Sequence, residues 1–366
     1  MTKILILANN DVGLYKFRKE LINELVKKNE VYISLPDGEL IPELVEMGCI
    51  FIETSISRRG KNPLTDLKLL MKYNNIIKDI KPDVVLTYTI KPNIYGGLAC
   101  RINKVPVISN ITGLGSAVEN KSLLQKITLF LYRRALKKAK CVFFQNSSNA
   151  NFFIEQKIVT NNYKLIPGSG VNLDYYKLLG YPADSEEMIN FLFIARVMKE
   201  KGIDEYLEAA TYIRNKYPNT KFHILGFCEE LYEEELYNLH NEGIIEYHGM
   251  QKDIREFHKI AHCIVHPTYY PEGMSNVLLE GAASGRPLIT TDRAGCKEVI
   301  DDEINGYIVK QKDSQDLIEK IEKFLQLEYK EKKQMGLQGR SKVEEEFDRT
   351  IIVNSYLREL SYLTNE

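Results

Sequence analysis

The chain has 366 residues, 44% of them hydrophobic and 27% charged, and its formal net charge is −1. That length suits about two domains with full cores. No apolar run approaches the roughly 20 residues of a membrane-spanning helix, and the six cysteines form no C-x-x-C pair and no cluster with histidine at zinc spacing, which argues against a metal site. The charge is uneven: residues 1–170 carry about +11 and residues 171–366 about −12, so one half is expected to meet an anionic surface. Scattered single thiols fit a reducing compartment. The chain opens directly on an apolar strand pattern with no signal-peptide pattern, so a cytoplasmic protein is expected.

Short apolar runs alternate with longer amphipathic stretches. Strands are expected at 4–8, 31–35, 83–87, 105–109 and 141–145, and helices at 15–28, 64–80, 96–102 and 122–138. Near-continuous apolar strands in this βαβ rhythm mean a parallel sheet covered on both faces. The rhythm breaks at Ile166-Pro167-Gly168-Ser169-Gly170-Val171-Asn172, which has linker chemistry, and a polar stretch follows at 181–187. It then restarts, with strands at 190–194, 221–225, 244–247, 263–266 and 287–290. Helices are expected at 204–216, 229–241, 253–260 and 314–327. An apolar stripe over 350–363 ends the chain. The pattern predicts an α/β protein of two doubly wound domains, at 1–167 and 168–349, with the helix at 350–366 packing back on the first. Ligands of such sheets bind beyond the carboxyl ends of the strands, and two facing domains would place the site in a central cleft.

One segment is the most informative: Pro271-Glu272-Gly273-Met274-Ser275-Asn276-Val277-Leu278-Leu279-Glu280, then Gly281-Ala282-Ala283-Ser284-Gly285-Arg286-Pro287. Two carboxylates stand eight positions apart, one in a loop and one inside an apolar helix. Between them lies a helix N-terminus, whose free amides and positive dipole end suit a phosphate. A surface helix with Asn276 as N-cap and two unrelated glutamates fits the spacing equally. A second segment, Arg196-Val197-Met198-Lys199-Glu200-Lys201-Gly202, follows a strand end. Its two cations, five apart, can converge on a diphosphate, Arg196 as a planar fork and Lys201 as a point charge. A solvated basic loop is the plain alternative.

Strand, Arg-x4-Lys-Gly, then Glu-x7-Glu ending in Gly-x-Pro resembles the retaining glycosyltransferases of family 4, which have the GT-B fold of two Rossmann-like domains. Thr112-Gly113-Leu114-Gly115-Ser116 and Val171-Asn172 also fit bacterial members that extend lipid-linked glycans for capsule, O-antigen or glycoprotein assembly. The resemblance implies that Glu272 faces the donor sugar's hydroxyls, with the backbone of Gly273, Met274, Ser275 and Asn276 nearby. It also implies that Glu280 accepts hydrogen bonds from the ribose, and that Arg196 and Lys201 neutralise the departing diphosphate. No D-x-D occurs, which agrees with an enzyme needing neither metal nor cofactor.

Asn9-Asn10-Asp11-Val12-Gly13-Leu14-Tyr15 looks like the family's first-strand loop, where Gly13 permits close backbone approach to the donor; an ordinary βα turn fits as well. The lone glycine is no G-x-G-x-x-G, so a dinucleotide is disfavoured. In Thr87-Tyr88-Thr89-Ile90-Lys91-Pro92-Asn93 the histidine of many relatives is missing, leaving Tyr88, Lys91 and Asn93 as acceptor candidates. His266 reads as structural. Within 121–140, Leu123, Leu124, Ile127, Phe130, Leu131 and Leu136 are set against Lys126, Arg133, Arg134, Lys137, Lys138 and Lys140, and Arg58-Arg59-Gly60-Lys61 adds a basic cluster. A basic amphipathic helix can lie on an anionic leaflet, while a solvated face of a Rossmann helix fits too. No motif supports nucleic acid.

The expectation is a cytoplasmic enzyme, peripheral on the inner face of the plasma membrane. It would move a sugar, an N-acetylhexosamine by choice, from a UDP-sugar to a polyprenyl-diphosphate-linked glycan with retention. A non-hydrolysing UDP-sugar 2-epimerase is one alternative, though no carboxylate–histidine set for it is evident. A non-catalytic subunit that binds a nucleotide-sugar or lipid glycan is the other.

Overall fold

The computed structural model describes residues 1–57, 60, 62–115, 118, 122–183 and 188–364. Arg58, Arg59, Lys61, Ser116 and Lys121 therefore lie outside the described residues, as do residues 184–187 of the polar stretch. The chain divides into two compact units, Met1–Gly170 with Arg349–Glu366, and Val171–Asp348. The divisions fall three residues later than 167 and one residue earlier than 349.

The first unit has seven described strands, β1 (Thr2–Leu7), β2 (Asn29–Leu35), β3 (Ile50–Glu53), β4 (Val84–Tyr88), β5 (Val107–Ile111), β6 (Cys141–Phe144) and β7 (Tyr163–Leu165). They form one parallel sheet in the order β3-β2-β1-β4-β5-β6-β7. Its helices are α1 (Asp11–Val26), α2 (Ile41–Glu46), α3 (Pro63–Ile80), α4 (Gly97–Asn103), α5 (Leu123–Leu136) and α6 (Ser147–Glu155). A π-turn, Pro92–Gly96, leads into α4. Side chains alternate across the sheet as strand geometry demands. Ile4, Ile6, Val84 and Leu86 enter one core; Leu5, Leu7 and Val85 enter the other. The second core is covered by α3, α4 and α5 through Tyr73, Ala99, Leu129, Tyr132 and Leu136.

The second unit repeats the plan with β8 (Ile189–Ile194), β9 (Thr220–Leu225), β10 (Glu246–Tyr247), β11 (Cys263–His266), β12 (Leu288–Thr291) and β13 (Gly306–Val309). They run parallel in the order β10-β9-β8-β11-β12-β13. Its helices are α7 (Ile203–Lys216), α8 (Glu233–Asn241), α9 (Arg255–Ile260), α10 (Asn276–Ala283), α11 (Ser314–Gln326) and α12 (Tyr329–Glu346).

The last helix, α13 (Arg349–Thr364), returns to the first unit. Ile352, Val353, Tyr356 and Leu360 complete the core beneath α1. Arg349, almost fully buried, donates to the carbonyls of Lys16 (2.8 Å) and Gly170 (2.9 Å) and pairs with Glu20. Gly170 has φ +65, and a Cβ there would lie 2.7 Å from Arg349 Cα, so a glycine is required at the join.

In each sheet the strand order reverses at one point, between β1 and β4 in the first and between β8 and β11 in the second. Helices leave opposite faces there, so the strand ends open a crevice where ligands of doubly wound sheets bind. Arg196 and Lys201 follow β8, and Glu272 follows β11. Asn10 follows β1, and Thr89 to Asn93 follow β4. The candidate residues cluster at these reversals.

Candidate active site

In the second unit the chain leaves β8 through Ala195 and Arg196. A β-bridge of Val197 to Cys228 holds this exit against the loop after β9: Val197 N–H donates to Phe227 O (2.9 Å), and Glu229 N–H donates back to Val197 O (3.0 Å). This places Glu229 beside Arg196, and the two form an ion pair. Glu229 was expected to open a helix. It lies four residues before α8, in a loop that orients the guanidinium.

A single 3₁₀ turn, Lys199–Lys201, comes next, ended by Gly202 at φ +78. A Cβ on Gly202 would stand 2.2 Å from the Pro267 carbonyl oxygen. The turn is stapled to the exit of β11, where Glu200 O accepts from Tyr269 N–H (3.0 Å) and Thr268 Oγ1 (3.2 Å). Lys201 is thereby pressed into the crevice and pairs with Glu272.

The two cations converge. Arg196 Cζ lies 5.4 Å and Lys201 Nζ 4.7 Å from the centroid of one ring, Tyr270, within cation–π range. Tyr270 and Glu229 carried no signal of their own in the sequence; Tyr270 sits one residue before the Pro-Glu-Gly loop.

The Glu272 loop is fixed from the far side by Gly295. Its carbonyl accepts from Ser275 N–H (2.7 Å), and a Cβ on Gly295 (φ +89) would meet Gly273 O at 2.7 Å. Ser275, not Asn276, is the N-cap of α10, and its side chain makes no capping bond. Ser275 Oγ and Asn276 Oδ1 are buried without a hydrogen-bond partner among the described residues. A helix start lacking its own cap, beside two cations, is an anion-binding arrangement. Met274 is buried in the core behind it. Asn276 and Glu280 stand one turn apart on the same helix, and i, i+4 positions share a face. His266, at the end of β11, has both ring nitrogens unpartnered among the described residues. Burial, and secondarily the charge of Lys201, drives its pKa well below the usual imidazole value, so it stays neutral.

In the first unit the crevice differs from expectation. Gly13 is not in a loop but in the first turn of α1. Its N–H is spent on Asn10 Oδ1, the cap (2.5 Å), so Gly13 offers only a missing side chain there. Asn93 is buried, taking a bond from Thr87 Oγ1 (2.7 Å) and giving one to Asn110 O (2.8 Å). Tyr88 is buried under the guanidinium of Arg18, 4.8 Å from the ring centroid. Both side chains turn into the interior of this unit. Lys91 is tied to Asp66 (2.7 Å) and Gly60 O (2.9 Å), bracing the β4 exit against α3. The residue the sequence did not mark is Thr89. Its φ of 72 is rare for a β-branched side chain, and its Oγ1 is buried without a partner among the described residues; such strain concentrates at functional sites.

On α5 the expected division into apolar and basic faces fails. Leu136 is buried, whereas Leu123, Ile127 and Phe130 share the exposed side with Lys126, Arg133, Arg134, Lys137 and Lys138. Among the described residues no helix is long and apolar enough to cross a membrane.

Two parallel doubly wound units, with a cation pair and an uncapped helix at one reversal point, define a two-unit α/β protein with an anion-binding arrangement at a strand-order reversal. Comparison with known proteins takes this further. Residues 183–342 match the family model described as glycosyl transferases group 1, and residues 3–146 match glycosyl transferase 4-like. The chain is 28% identical to the N,N'-diacetylbacillosaminyl-diphospho-undecaprenol alpha-1,3-N-acetylgalactosaminyltransferase of Campylobacter jejuni, covering 96% of both proteins. It is 26% identical to the capsular polysaccharide biosynthesis glycosyltransferase CapM of Staphylococcus aureus, over 92% of this chain and 93% of CapM. It is 24% identical to the UDP-Gal:alpha-D-GlcNAc-diphosphoundecaprenol alpha-1,3-galactosyltransferase of Escherichia coli, over 70% and 69%. Among solved structures, Anabaena HepE in complex with UDP-glucose superposes with a TM-score of 0.81 at 17% identity, covering 99% of this chain and all of HepE. A Rickettsia africae glycosyltransferase superposes with a TM-score of 0.80 at 20% identity, over 99% and 98%. The chain belongs to the GT-B glycosyltransferases of the family 4-like type.

Proposed function

We propose that this glycosyltransferase moves a sugar, an N-acetylhexosamine, from a UDP-sugar to a polyprenyl-diphosphate-linked glycan, with retention of configuration and without a metal ion. The observation that carries the donor half is the convergence of Arg196 and Lys201 on the Tyr270 ring beside the uncapped start of α10. Breaking the bond from the sugar's C1 to the diphosphate puts positive charge on the sugar and negative charge on the leaving oxygens. Two fixed cations and a helix N-terminus stabilise the latter more in the transition state than in the ground state. They supply the positive charge that a divalent ion supplies elsewhere.

With a diphosphate in place, Lys201 turns to the leaving group and Glu272 is released toward the sugar's hydroxyls. Glu280 accepts from the ribose, and Gly273 to Asn276 line the phosphate. The acceptor hydroxyl attacks C1 on the face the diphosphate leaves. Its proton passes to the departing phosphate oxygen, so no base or covalent nucleophile on the enzyme is invoked.

Support for the acceptor comes from the relatives, two of which are named for undecaprenyl-diphosphate-linked substrates and alpha-1,3 linkage. An alpha product from an α-configured UDP-sugar is a retained one. The product would feed capsule, O-antigen or glycoprotein glycans.

The deciding experiment is UDP release across a panel of UDP-sugars, with and without short lipid-diphosphate saccharides. Release with one donor only in the presence of acceptor is expected. Donor conversion without acceptor would replace the reading by an epimerase, and UDP binding without any turnover by a binding subunit.

A further inference from the structure

The solvent side of a helix covering a parallel sheet is normally polar. Two helices of the first unit break that rule in the same way. On α5 the exposed side carries Leu123 (74% exposed), Ile127 (49%) and Phe130 (50%). On α3 it carries Leu64 (69%), Leu67 (51%) and Met71 (50%). The spacings, 123-127-130 and 64-67-71, are one helical stripe each. Burial cannot explain them, because the faces turned to the sheet are filled by other residues, Leu69, Tyr73, Ile76 and Ile77 on α3 and Leu129, Tyr132 and Leu136 on α5.

The two helices pack on the same face of the sheet, flanking the π-turn and α4. Both run antiparallel to the strands, so their apolar N-terminal halves lie at the carboxyl edge of the sheet. That is the edge bearing Asn10, Thr89 and Lys91.

Cations surround the stripes. Lys68 and Lys72 accompany α3, and Lys126, Arg133, Arg134, Lys137 and Lys138 accompany α5, all exposed. The stretch 122–140 contains no acidic residue. Arg134 lies over the ring of Phe130, its Cζ 5.1 Å from the centroid, an apolar ring with a charge at its rim. Large aliphatic and aromatic side chains ringed by lysine and arginine match one environment, the boundary between acyl chains and anionic headgroups. A second copy of this surface would bring like charges face to face.

We infer that the exposed stripes of α3 and α5 insert into an anionic lipid leaflet, with the cations at headgroup level, and that this seats the carboxyl edge of the first sheet at the membrane surface. The apolar side chains make the attachment; the cations select the leaflet. The inference gives a place to the lipid-linked acceptor of the reading above, and rests on that reading only for its purpose.

The experiment is co-sedimentation of the full chain with vesicles of phosphatidylglycerol and phosphatidylethanolamine. The Leu123→Ser/Ile127→Ser/Phe130→Ser variant keeps every cation and every buried residue. It should partition at least about tenfold more weakly, and the Leu64→Ser/Leu67→Ser variant should fall in the same direction. Unchanged sedimentation of both would overturn the inference and leave a purely electrostatic contact. So would a wild-type dimer in light scattering that the serine substitutions turn to monomer, since the face would then be a self-interface. UDP binding by calorimetry separates the two readings. Both variants should bind UDP as the wild type does, and a wild type that binds vesicles but no UDP would sink the proposed function while leaving membrane insertion standing.

Discussion

Arg196 and Lys201 are held ready by carboxylates, Glu229 and Glu272. Pairing keeps the partly buried Arg196 and the buried Lys201 pointed at one ring, since an unpaired charge in such a crevice is costly. On the proposed function, a diphosphate outcompetes the carboxylates by its greater charge and by the α10 dipole. Lys201→Ala should therefore lower turnover about 10²- to 10³-fold, and UDP-release kinetics with the identified donor would show it. A near-normal rate would dissociate Lys201 from the leaving group. Glu280→Ala should weaken UDP binding by roughly tenfold or more, the loss of charge-assisted hydrogen bonds to the ribose, measured by calorimetry. An unaltered affinity would remove its role. The spacing of Arg196, Lys201, Glu272 and Glu280 was legible in the sequence because all four sit in two short segments. Glu229 was not. It stands 33 residues from its partner in an acid-rich stretch that also contains the start of α8, and only the β-bridge of Val197 to Cys228 brings it back. Tyr88 and Asn93 show the opposite case: a strand end is an address for function, but the sequence does not tell which side chains turn inward there.

At the scale of elements, what sets the site is the joint between the 3₁₀ turn and the exit of β11. Gly202 makes it possible, because any side chain would meet the Pro267 carbonyl. Gly202→Ala combines a left-handed backbone, about 1–2 kcal/mol for an L-residue, with that collision. The variant should unfold at clearly lower denaturant concentration and lose turnover beyond the loss of stability, because Lys201 is displaced. Wild-type stability would refute the tight joint. The long elements α3, α7 and α11 were predicted to within a residue or two, because their apolar spacing is helical and sustained. The missed elements are short or polar. β3 and β7 are edge strands of four and three residues with half-exposed side chains, and α6 opens on Ser147-Ser148-Asn149, which resembles a loop until Asn146 is seen capping it. Cap and edge positions owe their structure to neighbours, so periodicity has nothing to report there.

For the whole molecule, the two units should respond to different insults. All six histidines lie in the second unit. Burial drives His223 and His262 down to about 4 and His258 to about 3, with a like charge adding to each: His248 for His223, and Arg286 for the other two. His266 is driven well below its usual value as well. The folded unit therefore stays neutral at these sites where the unfolded chain takes up protons. Stability is full above the unfolded pKa of about 6.5 and falls with pH below it, levelling only near the folded values. The first unit has no histidine, and its core is completed by the return of α13. Tyr356, fully buried, takes a hydrogen bond from Asn110 Nδ2 (2.7 Å) and packs 4.6 Å, centroid to centroid, from Phe143. Tyr356→Ala should cost the first unit about 3–5 kcal/mol, while the histidine-bearing unit keeps its acid response. Hydrogen exchange read unit by unit checks both. Between pH 7 and pH 5 protection should fall in residues 171–348 of the wild type, and at pH 7 the Tyr356→Ala variant should lose protection in residues 1–170. If acid and the substitution weakened both regions equally, the chain would unfold as one cooperative body, and the division into two units would describe packing without describing stability.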